Sequence, residues 1–591
     1  LKQDDYTPEQ QRFIENPDAR SVLLAPPGSG KTHTLMGRIK WLEQNDPAPL
    51  VALTFTNRAA RELEQRIAAD PDLARYKDQI WAGTFHSYCI EAMRRFPSLR
   101  DTYGLEPDFA VAPRPEGRTE ADIMACTLGH QLKQLAHDMG HKETLSKVAK
   151  RLEWDADFET IWTHRLVSQN IVDYEFVMRS APEILRRPDC AYRPAHIVVD
   201  EIQDVGHQER LTIEAFATFA KTISTVGDPD QSIYGFRGAA PVWCESGLKN
   251  QGFDYYRLSM NFRSGDAIIE TLNRIFPGKC QAVDRPATVR VVKHLNEAAE
   301  AQWIADDIID RIAKGQRPGG IAVIARRHAR YATVARVLAE RGIPVESPND
   351  TIRAAREKPV ADTLAVLRAL ARPDVGPTLL HAALVLGAPE SMVNDLRLKA
   401  LERRTSVLAL VRDECSGISP WQELLALIEA PAGLDQARAM LERAINLVHD
   451  QTGAWFSEDG RDAIDRYWIA WAKNGDKSAG LAGFVVFVDT CRPQDLIEDA
   501  ADAVVCGSIH GVKGLEYDVV YLIGLEKGET PKELRDSNAR EELRIFYVGA
   551  SRARHCLILC KVLEKERFAG SGRPVPVEPS PYLELVGVVD R

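Results

Sequence analysis

Short, nearly continuous apolar runs recur along the chain at 22–24, 51–53, 197–199, 223–226, 321–324, 519–523 and 556–559. Runs without polar alternation suit strands buried on both faces, as in parallel sheets covered by helices. Between several of them apolar positions return at helical spacing, as at 58–67 and 329–341, which is the alternation of doubly wound α/β domains. The pattern predicts two such domains. Two intervals break it: 91–193 and 373–490 are charged, rich in leucine and alanine and poor in β-branched runs, so each reads as a mostly helical insertion. Breaks near Pro97, Pro194, Pro373 and Pro493 fit the joints. The expected organisation is a first α/β domain made of 1–92 and 193–264 around an insertion at 93–192. A second is made of 265–372 and 493–591 around an insertion at 373–492.

The chain has 591 residues, 45% of them apolar, enough for about three to five domains with buried cores. No apolar run approaches the roughly 18 residues of a membrane span, and 379–386 is short enough to be a buried helix. The start, LKQDDYTPEQQ, is polar, lacks an initiator methionine and carries no signal-peptide core; a cytoplasmic location with no membrane partner is expected. Ten cysteines show neither a repeated CxxC nor zinc-type clustering, so they read as reduced core thiols. Cys556 and Cys560 in HCLILC would share one face of a strand. The net charge of −10 lowers the expectation of a nucleic-acid partner, although a narrow groove with a few basic groups can hold a phosphate strand on an acidic protein.

Directly after the first apolar run stands APPGSGKT at 25–32, followed by a helical pattern opening at His33. Glycines 28 and 30 let backbone N–H groups turn inward around a phosphate, Lys31 can reach the terminal phosphates and the Thr32 hydroxyl suits magnesium. The strict phosphate-loop pattern has glycine where this chain has Ala25. Pro27, Gly28, Ser29, Gly30, Lys31 and Thr32 are the candidate nucleotide-binding residues, with ATP and Mg2+ as the implied cofactors. HIVVDEIQD at 196–204 supplies an acidic pair at the end of an apolar run. Asp200 would hold magnesium and Glu201 would orient or deprotonate the attacking water; such a pair also occurs as the acidic cap of a helix N-terminus. Gln203 and Asp204 favour the first reading.

At this point the chain resembles the UvrD/Rep-like branch of superfamily 1 DNA helicases, through an ordered series of motifs over nearly its whole length. They are YTPEQQ (6–11), the phosphate loop, ALTFTNRAARELEQR (52–66), GTFHSY (83–88), VDYEFV (172–177), the DEIQD segment, VGDPDQSIYGFRGA (226–239), LSMNFRS (258–264), SIHGVKGLEYDVV (508–520) and YVGASRAR (547–554). The resemblance implies two RecA-like parallel-sheet P-loop NTPase domains, each with its helical insertion. It implies an adenine-reading role for Gln10, a γ-phosphate sensor at Gln231 and a ribose contact at Glu516, which would otherwise be a surface acid beside a turn. It implies arginine fingers at Arg263 and Arg552, the first following one lobe and the second deep in the other, so that both meet the phosphates only when the lobes close. Arginine fingers contribute about 10³ to 10⁵ in rate elsewhere. For single-stranded DNA it implies Phe55, Asn57, Tyr234, Phe236 and Arg237. Stacked bases contribute about 1–3 kcal/mol each on such aromatic platforms. His86 and His510 match loops along the DNA path or the lobe interface, and either is equally readable as a structural histidine.

The chain departs from the family at four places. His33 stands where the family often has arginine, and Phe262 where it has tyrosine; imidazole and phenyl can still sandwich adenine, with a grip that is weaker or depends on pH. The family's duplex-contact glycine motif is faint around Leu386, Gly387 and Ala388. The sequence ends at PSPYLELVGVVDR, close behind the last motif, so neither an appended nuclease domain nor a C-terminal partner-binding extension is expected. The charged run 532–544 is expected to be a solvated helix face. The reading is an ATP-dependent DNA helicase or translocase, moving 3′ to 5′ as the resemblance implies. Its partners would be single-stranded DNA and single-strand/duplex junctions, and it would act as a monomer or weak dimer. The alternatives are a protein-displacing translocase with little unwinding, and an ATP-controlled DNA-binding switch.

Overall fold

The computed structural model describes residues 6–107, 109–112, 167, 171–235, 238–373, 376–403, 405–429, 434–475, 477, 480–491, 493–496, 502–535, 538–566 and 574–587. The chain forms two compact units, one made of 1–85, 193–350 and 492–591, the other of 86–192 and 351–491. Much of the expected insertion at 93–192 lies outside the described residues, as do Phe236 and Arg237.

The first unit is built on two six-stranded parallel sheets. Strands of these sheets are β1 (Arg20–Leu24), β2 (Leu50–Thr54), β3 (Ile80–Thr84), β4 (His196–Val199), β5 (Thr222–Gly227), β6 (Asp254–Arg257), β7 (Thr288–His294), β8 (Ile321–Ala325), β9 (Val345–Glu346), β10 (Val504–Ser508), β11 (Tyr517–Leu522) and β12 (Ala553–Val562). The first sheet runs β3-β2-β4-β5-β1-β6 and the second β7-β12-β11-β8-β10-β9. Each apolar run of the sequence is a strand because both faces of the sheet are covered. In the second sheet Ala322, Ile324, Val520 and Leu522 enter one core, while Ile321, Val323, Val519 and Tyr521 enter the core on the opposite face. Every fully buried side chain of this size contributes about 1.5–3 kcal/mol. Cys556 and Cys560 share the second of these cores with Cys506, and all three are free thiols.

Helix α1 (Pro8–Ile14) opens on a capping box in which Thr7 and Gln10 bond each other's backbone N–H. Helix α2 (Lys31–Asn45) follows the phosphate loop. It opens two residues earlier than the apolar pattern suggested, because the loop delivers the chain directly into the first turn. On α2, Glu43 is wholly buried; among the described residues neither of its carboxylate oxygens accepts a hydrogen bond, and burial pushes its pKa up to about 7. The unfolded chain therefore ionises first. Stability should fall as pH rises from about 4.5 to 7 and level off above. Glu43→Met should raise the melting midpoint at pH 8 by about 2–4 °C and change it less at pH 5; a variant with the wild-type pH dependence would remove Glu43 as the cause.

The charged run 532–544 is only partly a solvated face: Lys532, Glu533, Arg535 and Arg540 are exposed, as expected, but two of its charges are not. In the helix Ala539–Ala550, Glu542 and Arg544 are buried; Glu542 pairs with Arg326 at 2.7 Å and Arg544 approaches Asp230 at 4.0 Å.

The second unit is mostly helical. Among the described residues its longest helices are Leu434–Thr452 and Glu458–Asn474, and it carries a short parallel strand pair, Ala110–Ala112 with Ile171–Asp173. Asp173 caps the helix Tyr174–Arg186 by accepting the N–H of Phe176 at 2.7 Å. Leu386, Gly387 and Ala388 form the turn that ends the helix Gly376–Val385. Gly387 has φ +92° and its two neighbours are buried, so this segment closes a helix. Among the described residues no helix is long and apolar enough to cross a membrane.

Candidate nucleotide site and aromatic cluster

The phosphate loop leaves β1 beside β5, with the Ala25 N–H donating to Gly227 O at 2.9 Å. Gly28 and Gly30 adopt φ +72° and +82°. A Cβ at Gly28 would stand 2.6 Å from the Arg263 Cβ, and one at Gly30 would stand 2.9 Å from Gln10 Nε2; no other residue fits this cradle. Gly30 heads α2 without a side-chain cap, so the positive end of the helix dipole faces the loop. Ser29 Oγ donates to Pro26 O at 2.8 Å and Lys31 Nζ to Ala25 O at 3.4 Å. That long contact leaves the ammonium easy to draw toward an anion. Thr32 lies in the first turn of α2.

The segment after β6 is bound to this loop. Asn261, fully buried, donates from Nδ2 to Pro27 O at 2.6 Å and accepts the N–H groups of Arg263 and Ser264 at 2.8 and 2.9 Å. The Phe262 N–H donates to Gly28 O at 2.7 Å. The backbone of Arg263 is therefore tied to the phosphate loop.

Asp200 and Glu201 follow β4. Glu201 has φ +51°, a left-handed conformation unusual for a side chain with a Cβ, and its N–H donates to Asp200 Oδ1 at 2.8 Å. Burial, followed by the charge of Glu201, raises the pKa of Asp200. For Glu201 burial acts upward too, yet Lys31, Lys513, the Gln203 amide and Arg552 outweigh it and hold its pKa below the usual carboxylate value. Two half-buried carboxyls that resist joint ionisation suit a divalent cation. Gln203, which is buried, donates from Nε2 to Glu201 and accepts the Asp228 N–H at 2.9 Å.

From the second sheet comes Arg552, which is 1% exposed. It donates to Val548 O at 2.9 Å, Leu515 O at 3.0 Å, Ser551 Oγ at 2.8 Å and Gln231 Oε1 at 3.3 Å; burial and then Arg263 pull its pKa down. Glu516 forms ion pairs with Arg263 and Arg554. Burial acts to raise its pKa, but Arg263, Arg554 and Arg552 hold it low. Lys513 Nζ bonds Asp204 and Gln231 O, the latter at 2.8 Å. Asn261, Lys513 and Arg554 lie inside motifs the sequence displays; they escape a search for ligand chemistry because their partners are other protein segments.

Three of the residues assigned to DNA form one cluster. The rings of Phe55 and Tyr234 lie 5.7 Å apart, Tyr234 and His510 6.1 Å apart, and Lys513 Nζ stands 4.9 Å from the Tyr234 centroid. Tyr234 is 6% exposed, so its ring connects neighbours more than it offers a face to solvent. Asn57 heads the helix Asn57–Ala69, whose cap is Thr56. His86 belongs to the second unit, edge-on to Tyr174 at 5.5 Å. The Gln10 amide, expected to read adenine, accepts the Thr7 N–H at 2.9 Å and donates to Ser29 O at 3.2 Å. His33 stacks on Tyr6 at 4.6 Å. Gly37 makes room for that tyrosine: a Cβ there would stand 2.7 Å from its hydroxyl.

Comparison with known proteins agrees with this architecture. Family models match the UvrD/REP helicase N-terminal domain over 6–246 and the UvrD-like helicase C-terminal domain over 256–414 and 489–564. The chain is similar to the ATP-dependent DNA helicase PcrA of Bacillus subtilis strain 168, at 24% identity over 95% of this chain and 83% of that relative. PcrA of Staphylococcus aureus strain COL is 25% identical over 98% of this chain and 86% of its own length. PcrA of Leuconostoc citreum is 25% identical over 97% and 84%. With two RecA-like sheets, a phosphate loop joined to arginines from both, and family matches over most of its length, the chain belongs to the UvrD/Rep-like family of superfamily 1 helicases, which are DNA-dependent ATPases.

Proposed function

We propose that this chain hydrolyses ATP in response to single-stranded DNA, moves along that strand in the 3′ to 5′ direction and separates the duplex ahead of it. The observation that carries the reading is the continuity from nucleotide to aromatic cluster. Gln231 bonds Arg552 through its side chain and Lys513 through its carbonyl, and three residues later Tyr234 joins Phe55 and His510. A change at the γ-phosphate thus has a short packed route to the rings that would hold bases. Lys31, Arg263 and Arg552 would meet the charge that accumulates on the transferring phosphoryl group, and Glu201 would orient the attacking water. Thr32 and Asp200 would hold magnesium, whose positive charge would offset that of the phosphates. Phe236 and Arg237 are proposed as further base and backbone contacts, and His33 and Phe262 as the adenine sandwich.

The test is ATP turnover with and without single-stranded DNA, followed by unwinding of duplexes bearing a 3′ or a 5′ tail at fixed salt, since phosphate contacts make binding salt-dependent. DNA-stimulated turnover and unwinding from the 3′ tail are expected. Absence of stimulation would leave the ATP-controlled binding switch. The buried helix-ending turn at Leu386, Gly387 and Ala388 supports a second reading, a translocase that displaces proteins without efficient unwinding. Stimulated turnover with little strand separation from either tail would select it.

A further inference from the structure

Lys279 belongs to no motif that the sequence displays, yet its ammonium ends against Asp228, which bonds Gln231 of the candidate site. It follows the helix Asp266–Ile275, on the second-sheet side, and its ammonium reaches two carboxylates of the first-sheet loop after β5: Asp228, and Asp230 at 2.6 Å. The rings of Tyr547 and Phe276 lie 5.2 and 5.5 Å from Nζ.

Asp228 is the centre of what Lys279 holds. It is fully buried, its Oδ2 accepts Gln231 Nε2 at 2.8 Å and its Oδ1 accepts the Asp230 N–H at 3.1 Å. Its own N–H donates at 2.9 Å to Gln203, whose amide nitrogen donates to Glu201. A side-chain amide has one donating and one accepting end. With Nε2 of Gln231 committed to a carboxylate, Oε1 is the end turned to Arg552, at 3.3 Å. The opposite rotamer would set an NH2 against a guanidinium.

We propose that Lys279 is a positioning residue for ATP hydrolysis: by neutralising the buried Asp228 it fixes the orientation of the Gln231 amide and, through Gln203, the reach of Glu201. Without the ammonium, Asp228 becomes an uncompensated buried charge next to the sensor. The loop relieves it by shifting or by turning the Gln231 amide, and either change misaligns groups that act on the γ-phosphate. The same contact crosses from one sheet to the other, so the alignment depends on both halves of the unit being in register.

The inference rests on the ATPase reading, so wild-type protein is assayed first. No DNA-stimulated turnover there would overturn the reading and the inference with it. In the full chain, Lys279→Met should lower the DNA-stimulated kcat by about 10- to 100-fold, the scale of a small misplacement of catalytic groups, with the KM for ATP within about 3-fold of wild type. Lys279→Arg should retain most of the rate. The double variant Lys279→Met/Asp228→Asn, which removes the stranded charge while leaving an acceptor for Gln231, should recover part of what Lys279→Met loses. An unchanged kcat in Lys279→Met would overturn the inference. So would equal losses in all three variants with lowered melting midpoints, the signature of a purely structural contact.

Discussion

Arg552→Ala is expected to lower DNA-stimulated ATP turnover by about 10³-fold or more, the scale set by arginine fingers in other phosphoryl-transfer enzymes. The arginine is buried and spends its donors on Val548 O, Leu515 O, Ser551 Oγ and Gln231, the proposed γ-phosphate sensor. The alanine variant therefore removes both a positive charge and the brace of the sensor. Arg552→Lys separates the two. It keeps a charge but not the planar fork, and should remain at least about 10-fold below wild type. The measurement is steady-state hydrolysis at saturating ATP and DNA, with melting curves for each variant. If Arg552→Ala, folded as wild type, turns over within about tenfold of it, Arg552 does not act on the transferring phosphoryl group.

Glu201→Gln should keep ATP binding and lose turnover by about 10² to 10⁴, the usual contribution of a positioned general base. The substitution is clean. Glutamine has the same length, tolerates the left-handed backbone no better and no worse than glutamate, and its carbonyl can still accept the Gln203 amide. What disappears is the charge. Its loss also relieves Asp200, whose pKa is raised by burial and by Glu201. Nucleotide binding followed by fluorescence, beside single-turnover hydrolysis, gives the separation; undiminished hydrolysis would take Glu201 out of its assigned role.

The legible part of the fold was its covered interior. All seven apolar runs are strands, because a strand wrapped on both faces must be apolar at successive positions. The strands that escaped notice lie mainly at sheet edges. The edge strand β6 reads DYYR with both end residues exposed, and the edge strand β7 buries only Val291 and His294. Neither carries a continuous run. Inner β10 was hidden differently: its apolar stretch is only Val504, Val505 and Cys506 before Gly507. In the site, residues with ligand chemistry were visible in their motifs, whereas residues that join one segment to another were not. Asn261 bonds Pro27, 234 positions away, and Lys513 bonds Asp204, 309 positions away. Spacing along a chain carries no trace of such pairs. The run 532–544 misled for the same reason, since its Glu542 and Arg544 have partners from distant segments.

The hold on Arg263 is divided between the two sheets. A buried asparagine fixes its backbone beside the phosphate loop, while its guanidinium pairs with Glu516 of the second sheet. Arg552 arrives with that sheet. In the proposed cycle the site would therefore act as a coincidence detector: one guanidinium waits on a counter-ion that the second sheet carries, the other is placed by the same sheet, and the rate would rise only when both are aimed at the nucleotide at the same moment. Futile hydrolysis would then be limited without any separate brake.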